Sequence, residues 1–329
     1  MKFLKKQIPK LIRYSFLLSL VLPLFAYSGS IQTPAIIATK AHKSLLVNAG
    51  MAGTRILSVG GRGHILYSDN QGESWVQANS PTQMLLTAVD FIDDKRGWAV
   101  GHDSIILGTE DGGQNWKILF EAVDIEKPLL DVTFFDERHG LVTGAYGLIM
   151  RTNDGGKSWQ EFMIEEIDWH FNSILRVGEH VLIAGEAGTL IRSSDKGVSW
   201  ETLKSPYVGS FFGAMNKPSP DGHTIIVYGL RGHAFVSNDL GDSWAEIDTG
   251  VTSNILGGTF TPAGDIILLG AGGTVLRKAK HHSYFERLPY RGFENLTSVI
   301  AVNNVELVVF GVRGVSKLSL QRASTEPST

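Results

Sequence analysis

The sequence predicts an all-β protein, a seven-bladed propeller with four antiparallel strands per blade, on three observations. An eight-residue box ending in tryptophan recurs five times: SDNQGESW (Ser68–Trp75), TEDGGQNW (Thr109–Trp116), TNDGGKSW (Thr152–Trp159), SSDKGVSW (Ser193–Trp200) and SNDLGDSW (Ser237–Trp244). The tryptophans step by 41, 43, 41 and 44 residues, a period that marks a repeat of one supersecondary unit. A Gly-x-x-Gly turn precedes each box, at Gly60–Gly63, Gly144–Gly147, Gly185–Gly188 and Gly229–Gly232, with the copy at Gly101–Ser104 lacking its second glycine. Two further copies, Gly270–Gly273 and Gly311–Gly314, extend the series to seven.

Each repeat reads as apolar run, turn, apolar run, Gly-x-x-Gly, alternating run, box, short run. In the second repeat these are LTAVDFI, DDKRG, WAVG, SIILGT, the box and WKIL. Four short β-prone runs with turn chemistry between them, repeated about every 40 residues, make one propeller blade. The sixth box is decayed: TVLRKAKHHSYFERL aligns on TLIRSSDKGVSWETL, with Phe285 in the tryptophan place and Lys280 in the aspartate place. The last repeat lacks an outer strand. Pro34–Thr39 (PAIIAT) is β-prone and has no blade of its own, so this segment is expected to complete the seventh blade and remove its free edge.

The box has a structural logic. Its third residue is Asn70, Asp111, Asp154, Asp195 or Asp239, and a short acceptor side chain there bonds backbone N–H groups two residues on and holds a tight turn. The glycine two places later suits a positive φ. Trp75, Trp116, Trp159, Trp200 and Trp244 then open the outer strands and fill the gaps between blades. Acidic groups that recur once per blade around a rim cannot converge on one metal or one substrate.

The first residues stand apart. Lys2, Lys5, Lys6, Lys10 and Arg13 precede an apolar run, Tyr14–Tyr27, and Ala26-Tyr27-Ser28 offers a small-residue cleavage site, the form of a secretory signal peptide. The expected organisation is a signal peptide over 1–28, the propeller over 29–320 and a polar tail over 321–329. The product is then exported, to a periplasm or an equivalent lumen. Without cysteine, ring closure must rest on packing and strand pairing. The formal net charge of −3, with both signs interspersed, argues against a nucleic-acid binder, which carries a strong basic excess.

In a propeller the turns between second and third strands share one face, and the boxes lie on the other. The variable third positions of the seven glycine turns are Arg62, Asp103, Tyr146, Ala187, Arg231, Gly272 and Arg313. Three arginines in seven equivalent places, with His64 and His233 close by, predict a partly basic face for a carboxylate-bearing partner, which arginine engages through two parallel hydrogen bonds. Arg62, Arg231, Arg313, Tyr146, His64 and His233 are therefore the candidate partner-binding residues. Asp103, Glu186 and the stretch 121–126 dilute the patch. The sequence holds no histidine pair at metal-ligand spacing with an acidic partner, no nucleophile elbow and no phosphate loop. Asp103 and Glu186 come from non-adjacent blades, a weak basis for a glycosidase pair. No metal, cofactor or catalytic residue is expected, and the chain is expected to be a monomer.

The box in register with Gly-x-x-Gly strands resembles the photosystem II assembly and stability factor family of seven-bladed propellers. GLIMRTNDGGKSW (Gly147–Trp159), GTLIRSSDKGVSW (Gly188–Trp200), LTAVDFIDDKRGWAVG (Leu86–Gly101) and LLDVTFFDERHGLVTG (Leu129–Gly144) carry the resemblance most strongly. It implies a non-enzymatic scaffold that binds a membrane protein or complex, a reaction-centre precursor where the host is photosynthetic. An arginine-bearing face is then the binding surface, and Arg62, Arg231 and Arg313 correspond to it. A periplasmic accessory protein of an envelope transporter is an alternative in the same class. A sialidase-type glycoside hydrolase is an alternative from another class; for it the arginines and Tyr146 would supply the site, but the Arg-Ile-Pro signature is missing and seven repeats exceed its six blades.

Overall fold

The computed structural model describes residues 33–122, 127–219 and 222–321. The expected signal peptide at 1–28 and nearly all of the tail at 321–329 lie outside them. Seven antiparallel sheets follow one another along the chain, six of four strands and a last one of three. The third sheet is representative: Leu129–Phe134, Gly140–Gly144, Ile149–Thr152 and Gln160–Phe162, paired in sequence order. The innermost strands touch in ring order, and that of the seventh blade, Leu296–Ala301, touches that of the first, Leu46–Ala52. Middle strands such as Gly97–Gly101 and Gly140–Gly144 are buried throughout, as strands covered on both faces must be.

The core is seven clusters, each shared between two blades. Apart from Trp98, the tryptophans that fill them are those of the boxes, and each leans on the preceding blade. Trp116 packs against Leu57 of the first blade, and Trp200 against Leu141 of the third. Trp75 meets Phe310 of the seventh edge-on, with ring centroids 5.7 Å apart. Phe285, in the decayed box, fills the corresponding place against the cluster of Tyr228 and Leu268.

The box turn is held differently from the expectation of bonds two residues on. The carboxylate of Asp195 accepts the N–H groups of Val198 and Ser199, three and four residues on, at 3.0 and 2.8 Å. Asp154 and Asp239 likewise accept from Ser158 and Ser243. The hydroxyl at the head of the box, missed in the sequence, accepts the N–H of the box glycine in all five copies. A hydroxyl has both a donor and free lone pairs, so it also donates to the aspartate, or to Asn70 in the first box, and ties the two halves of the turn. Four of the indoles, those of Trp75, Trp116, Trp159 and Trp200, donate to the carbonyl of the same glycine. In the decayed box Asp265 takes over: it accepts from the N–H of Lys280 and pairs with Arg277.

The expected closing strand is not formed. Residues 33–38 carry no regular structure and run beside the outer part of the first blade. Ala35 N–H donates to Ser80 O, Ala38 N–H to the Gln77 side chain, and Gln77 and Gln83 donate back to Ile36 and Pro34 carbonyls. These amide side chains satisfy the backbone groups that a strand would have offered to the seventh blade. Closure instead uses packing of Leu46, Ile56 and Leu66 on Val308 and Phe310, with Ala41 sealed among them. The Thr297 hydroxyl also donates to Leu46 O at 2.9 Å, and Lys317 pairs with Glu73 across the seam.

Candidate functional site

The glycine turns are built from two carbonyls. In each blade the residue after the first glycine donates its N–H to the carbonyl just before that blade's own innermost strand, as Gly61 does to Leu45 and Val312 to Asn295. The second glycine lies against the loop that leads into the next blade. A Cβ on Gly232, which has φ +80°, would overlap the Val251 carbonyl, and one on Gly314 would overlap that of His42. The chain just before the first blade therefore supplies the seventh blade's missing loop, through the short turn Ala41–Lys43, without supplying its strand. Where the second glycine is lost, Ser104 takes a positive φ of 51° and its hydroxyl donates to Lys127 O at 2.8 Å.

Between these contacts the third residue is lifted into solvent. Arg62, Asp103, Tyr146, Ala187 and Arg231 all adopt the left-handed conformation, with φ from 51° to 58°, where side chains other than glycine are strained. Gly272 occupies the same position in the sixth blade at φ 64°. Arg313 sits in a tighter hairpin, between the paired Gly311 and Gly314, and has no positive φ. Arg62, Arg231 and Arg313 are exposed, and among the described residues none makes an ion pair. In contrast, Arg192 and Arg277 on third strands are each held by two carboxylates.

The six candidate residues separate in two. Arg62 and Arg313 stand on blades that the closure makes neighbours, and Arg231 stands on the fifth blade; all three belong to the same face. Tyr146 is 61% exposed there and meets His170 edge-on at 4.8 Å, while His170 lies 3.3 Å from Glu186. His64, by contrast, is buried beneath its turn and shares a hydrogen bond with the Ser44 hydroxyl. Burial, and secondarily the charge of Arg62, lower its pKa. It is a neutral support of the turn and no part of the exposed surface. His233 is half-buried, tilted against Tyr207 with ring centroids 4.4 Å apart, and bonded to Glu246 at 2.8 Å.

Several exposed groups on this face were not singled out from the sequence. The loops that cover the second glycines display Trp169, Val208 and Phe293, the last 90% exposed, together with Arg291. Phe293 and Tyr290 edge a cavity of about 310 Å³ beside Gly272 and Gly273, where the absence of side chains leaves a notch. Loop-borne apolar residues have no periodicity to betray them. The signal that was available is that a loop following each box must return to the face of the glycine turns. The face thus mixes free guanidiniums with isolated aromatic and aliphatic groups. Among the described residues no cluster of three metal-ligating side chains occurs, and no helix is long and apolar enough to cross a membrane.

Comparison with known proteins gives these features a context. The family model described as Photosynthesis system II assembly factor YCF48 matches residues 67–121 and 118–210. Photosystem II stability/assembly factor HCF136, chloroplastic, from Cyanidioschyzon merolae, is 39% identical over 62 residues, which is 18% of this chain and 14% of that protein. The match thus spans well under two thirds of the relative. Among solved structures, YCF48 bound to D1 peptide superposes with a TM-score of 0.69 over 88% of this chain and 100% of that one, at 16% identity. YCF48 from Cyanidioschyzon merolae gives 0.66 over 86% and 97%, at 17% identity. The WD40 propeller domain of Doa1 reaches 0.67 over 87% and 96%, at 15% identity, so superposition by itself speaks for the propeller. The sequence matches are more specific: the repeats within residues 67–210 are similar to those of the photosystem II assembly factor YCF48 family.

Proposed function

We propose that this protein is an exported, non-enzymatic scaffold that holds a segment of a membrane protein or membrane complex against the face of its glycine turns. The observation that carries the reading is the conformation of Arg62 and Arg231. Both occupy left-handed positions where Gly272 shows that glycine suffices. Holding a bulky side chain there costs on the order of 1 kcal/mol or more. A strained, exposed and unpaired guanidinium, repeated on one face, has no structural role in the turn. It suits recognition of carboxylates, and the isolated Trp169, Val208 and Phe293 suit apolar residues flanking them. The YCF48 relative solved with a D1 peptide supports a partner of this kind, a photosystem II reaction-centre protein if the host makes one. An envelope complex is the counterpart in other hosts. Glu186, one of the two carboxylates considered for glycosidase chemistry, is engaged with His170, accepting from its backbone N–H at 3.2 Å; no specific observation favours that second reading.

The test is recovery of the tagged protein from solubilised membranes of its own host, wild type against Arg62→Glu, Arg231→Glu and Arg313→Glu combined. The wild type is expected to bring down one membrane complex, identified by mass spectrometry, and the folded triple variant to lose it. A triple variant that melts normally and retains the complex would refute the arginine face.

A further inference from the structure

The central channel holds a cavity of about 520 Å³ lined by the innermost strands of six of the seven blades and the start of that of the second. Its volume falls in the range of small-molecule sites and far exceeds the roughly 30 Å³ share of a single water. Its lining is uneven. On one side stand Asn48, Asp131 and Asn172; on the other, Gly213, Gly257 and Gly258 leave the wall bare. Around it, at the position that follows the first core residue of each innermost strand, Val47, Leu130, Phe212 and Leu256 form an apolar collar. The polar members of that ring, Thr87, Asn172 and Thr297, donate to the neighbouring blade's carbonyls.

Asp131 is the anomaly. Its oxygens accept the N–H groups of Val132 and of Ile174 in the next blade, each at 2.9 Å. Asn48, at the same position of the first blade, ties its strand to Val89 N–H through a neutral amide oxygen. Bridging two blades therefore needs no charge. Its side chain is half-buried in the channel wall, where desolvation foremost, with Asp90 adding to it, lifts its pKa to about 7. The ionisable groups around it are few. Asp90 lies on the second blade, with Arg176 acting on it from the fourth. Tyr228 of the fifth blade is held protonated by burial first and by Asp131 second. Tyr228 is 6% exposed. It lines the cavity, where its hydroxyl meets the backbone of Gly258. Among the described residues no lysine, arginine or histidine lines the cavity.

We infer that the channel is a binding site for a small alkylammonium ion, with Asp131 as its counter-ion and the Val47–Leu130–Phe212–Leu256 collar around its alkyl stem. A single carboxylate in a lining without other charges matches one positive charge, which disfavours multivalent metal ions and anions alike. The phenol of Tyr228 stands ready for a second polar atom of the ligand. Because only ionised Asp131 attracts the cation, binding strengthens as pH rises towards 7 and levels off above it.

The experiment uses the whole protein and n-butylammonium chloride, followed by calorimetric titration, with n-butanol as the uncharged probe. At about pH 8 the wild type is expected to bind the ammonium in the millimolar range or tighter and n-butanol far more weakly. At about pH 5.5 the affinity falls roughly 30-fold, as 1.5 units below the carboxyl pKa requires. D131N keeps the bond to Ile174 as Asn48 does in its own blade, so it is expected to melt no lower than the wild type and to lose the ammonium. Absence of n-butylammonium binding at about pH 8, equal binding of n-butanol, or unchanged affinity in folded D131N would each overturn the inference. Should D131N fail to fold, the pH and n-butanol arms decide it on the wild type alone.

Discussion

Trp116→Ala puts the interblade wedge to a quantitative test. Trp116 is 5% exposed. Its indole lies edge-on to Phe91 at 6.0 Å, faces Leu57 of the preceding blade, and donates to Gly113 O at 2.9 Å. Truncation returns about 200 Å² of apolar surface to water, worth about 5 kcal/mol at 25 cal/mol per Å². The unfolded chain already hides part of that area, which brings the figure to about 3–4 kcal/mol. The lost hydrogen bond, which is buried in the box turn, adds about 1 kcal/mol. The sum, about 4 kcal/mol, agrees with measured losses on deleting buried aromatics. For a domain of this size it corresponds to a fall in Tm of roughly 8 °C. Urea unfolding gives the free energy directly, and Trp159→Ala is the internal comparison. Trp159 is only partly buried against its cluster, so its loss is expected to cost about half as much. A loss below about 1 kcal/mol for Trp116→Ala, at unchanged m-value, would refute the wedge. Equal losses at the two sites would refute the argument from burial.

Other consequences are equally specific. Burial raises Asp90 to about 6 and Asp131 to about 7, so between about pH 4 and 7 the folded state holds protons that the unfolded state has released. Stability is therefore expected to decline as pH rises through that window, by an amount on the order of a few kcal/mol, and D131N should flatten the decline in thermal melts. The box carboxylates work in the opposite direction. Hydrogen bonds from Ser158, Ser199 and Ser243 hold Asp154, Asp195 and Asp239 at about 2, so their contribution is complete above about pH 4 and is lost as pH falls towards 2. Exposure to water keeps it small. Gly147→Ala forces a side chain onto the Ile167 carbonyl at φ +67° and is expected to cost about 2 kcal/mol or more, measurable by urea unfolding. Removing residues up to Ala38 should lower the Tm by at most a few degrees, since Ile36 and Ile37 are 71% and 65% exposed. A further cut through Ala41–Ser44 should prevent folding, as judged by circular dichroism.

The blade count and strand order were legible because they rest on a glycine turn repeated seven times, and the box packing because the box recurs five times. One repeat with a poor pattern is corrected by the others, which is how Phe285 and Lys280 could be placed in a decayed box by the five intact copies. The closure was not legible for the same reason: it happens once. Pro34–Thr39 has the composition of a strand, yet its backbone is bonded by Gln77 and Gln83, 39 to 49 residues further along the chain. The arginine-bearing turns could be aligned from the sequence, and the structure sets all three on one face. The burial of His64 could not be read, since it depends on Ser44 and on the return of the chain beneath the turn. The channel acid was hidden because Asp131 looks like any polar residue in an alternating strand. Only the ring brings it opposite Tyr228.

The face and the channel make different demands on the same turns. Each glycine turn is flanked by two carbonyls, one just before its own blade's innermost strand and one in the loop leading into the next blade, so the residue it displays sits on a support shared by two blades. That support explains how Arg62 and Arg231 tolerate left-handed geometry, and it makes their cost measurable. Arg62→Gly and Arg231→Gly should each raise stability by about 1 kcal/mol, by removing strain that glycine does not feel, while weakening the partner. Such an opposition between stability and binding is expected where a residue is retained for what it touches. Arg313, without positive φ, offers the contrast. Its replacement by glycine removes no strain, so it should weaken the partner without stabilising the fold. Stabilisation at all three positions, or at none, would separate the geometry of the turns from the function proposed for them.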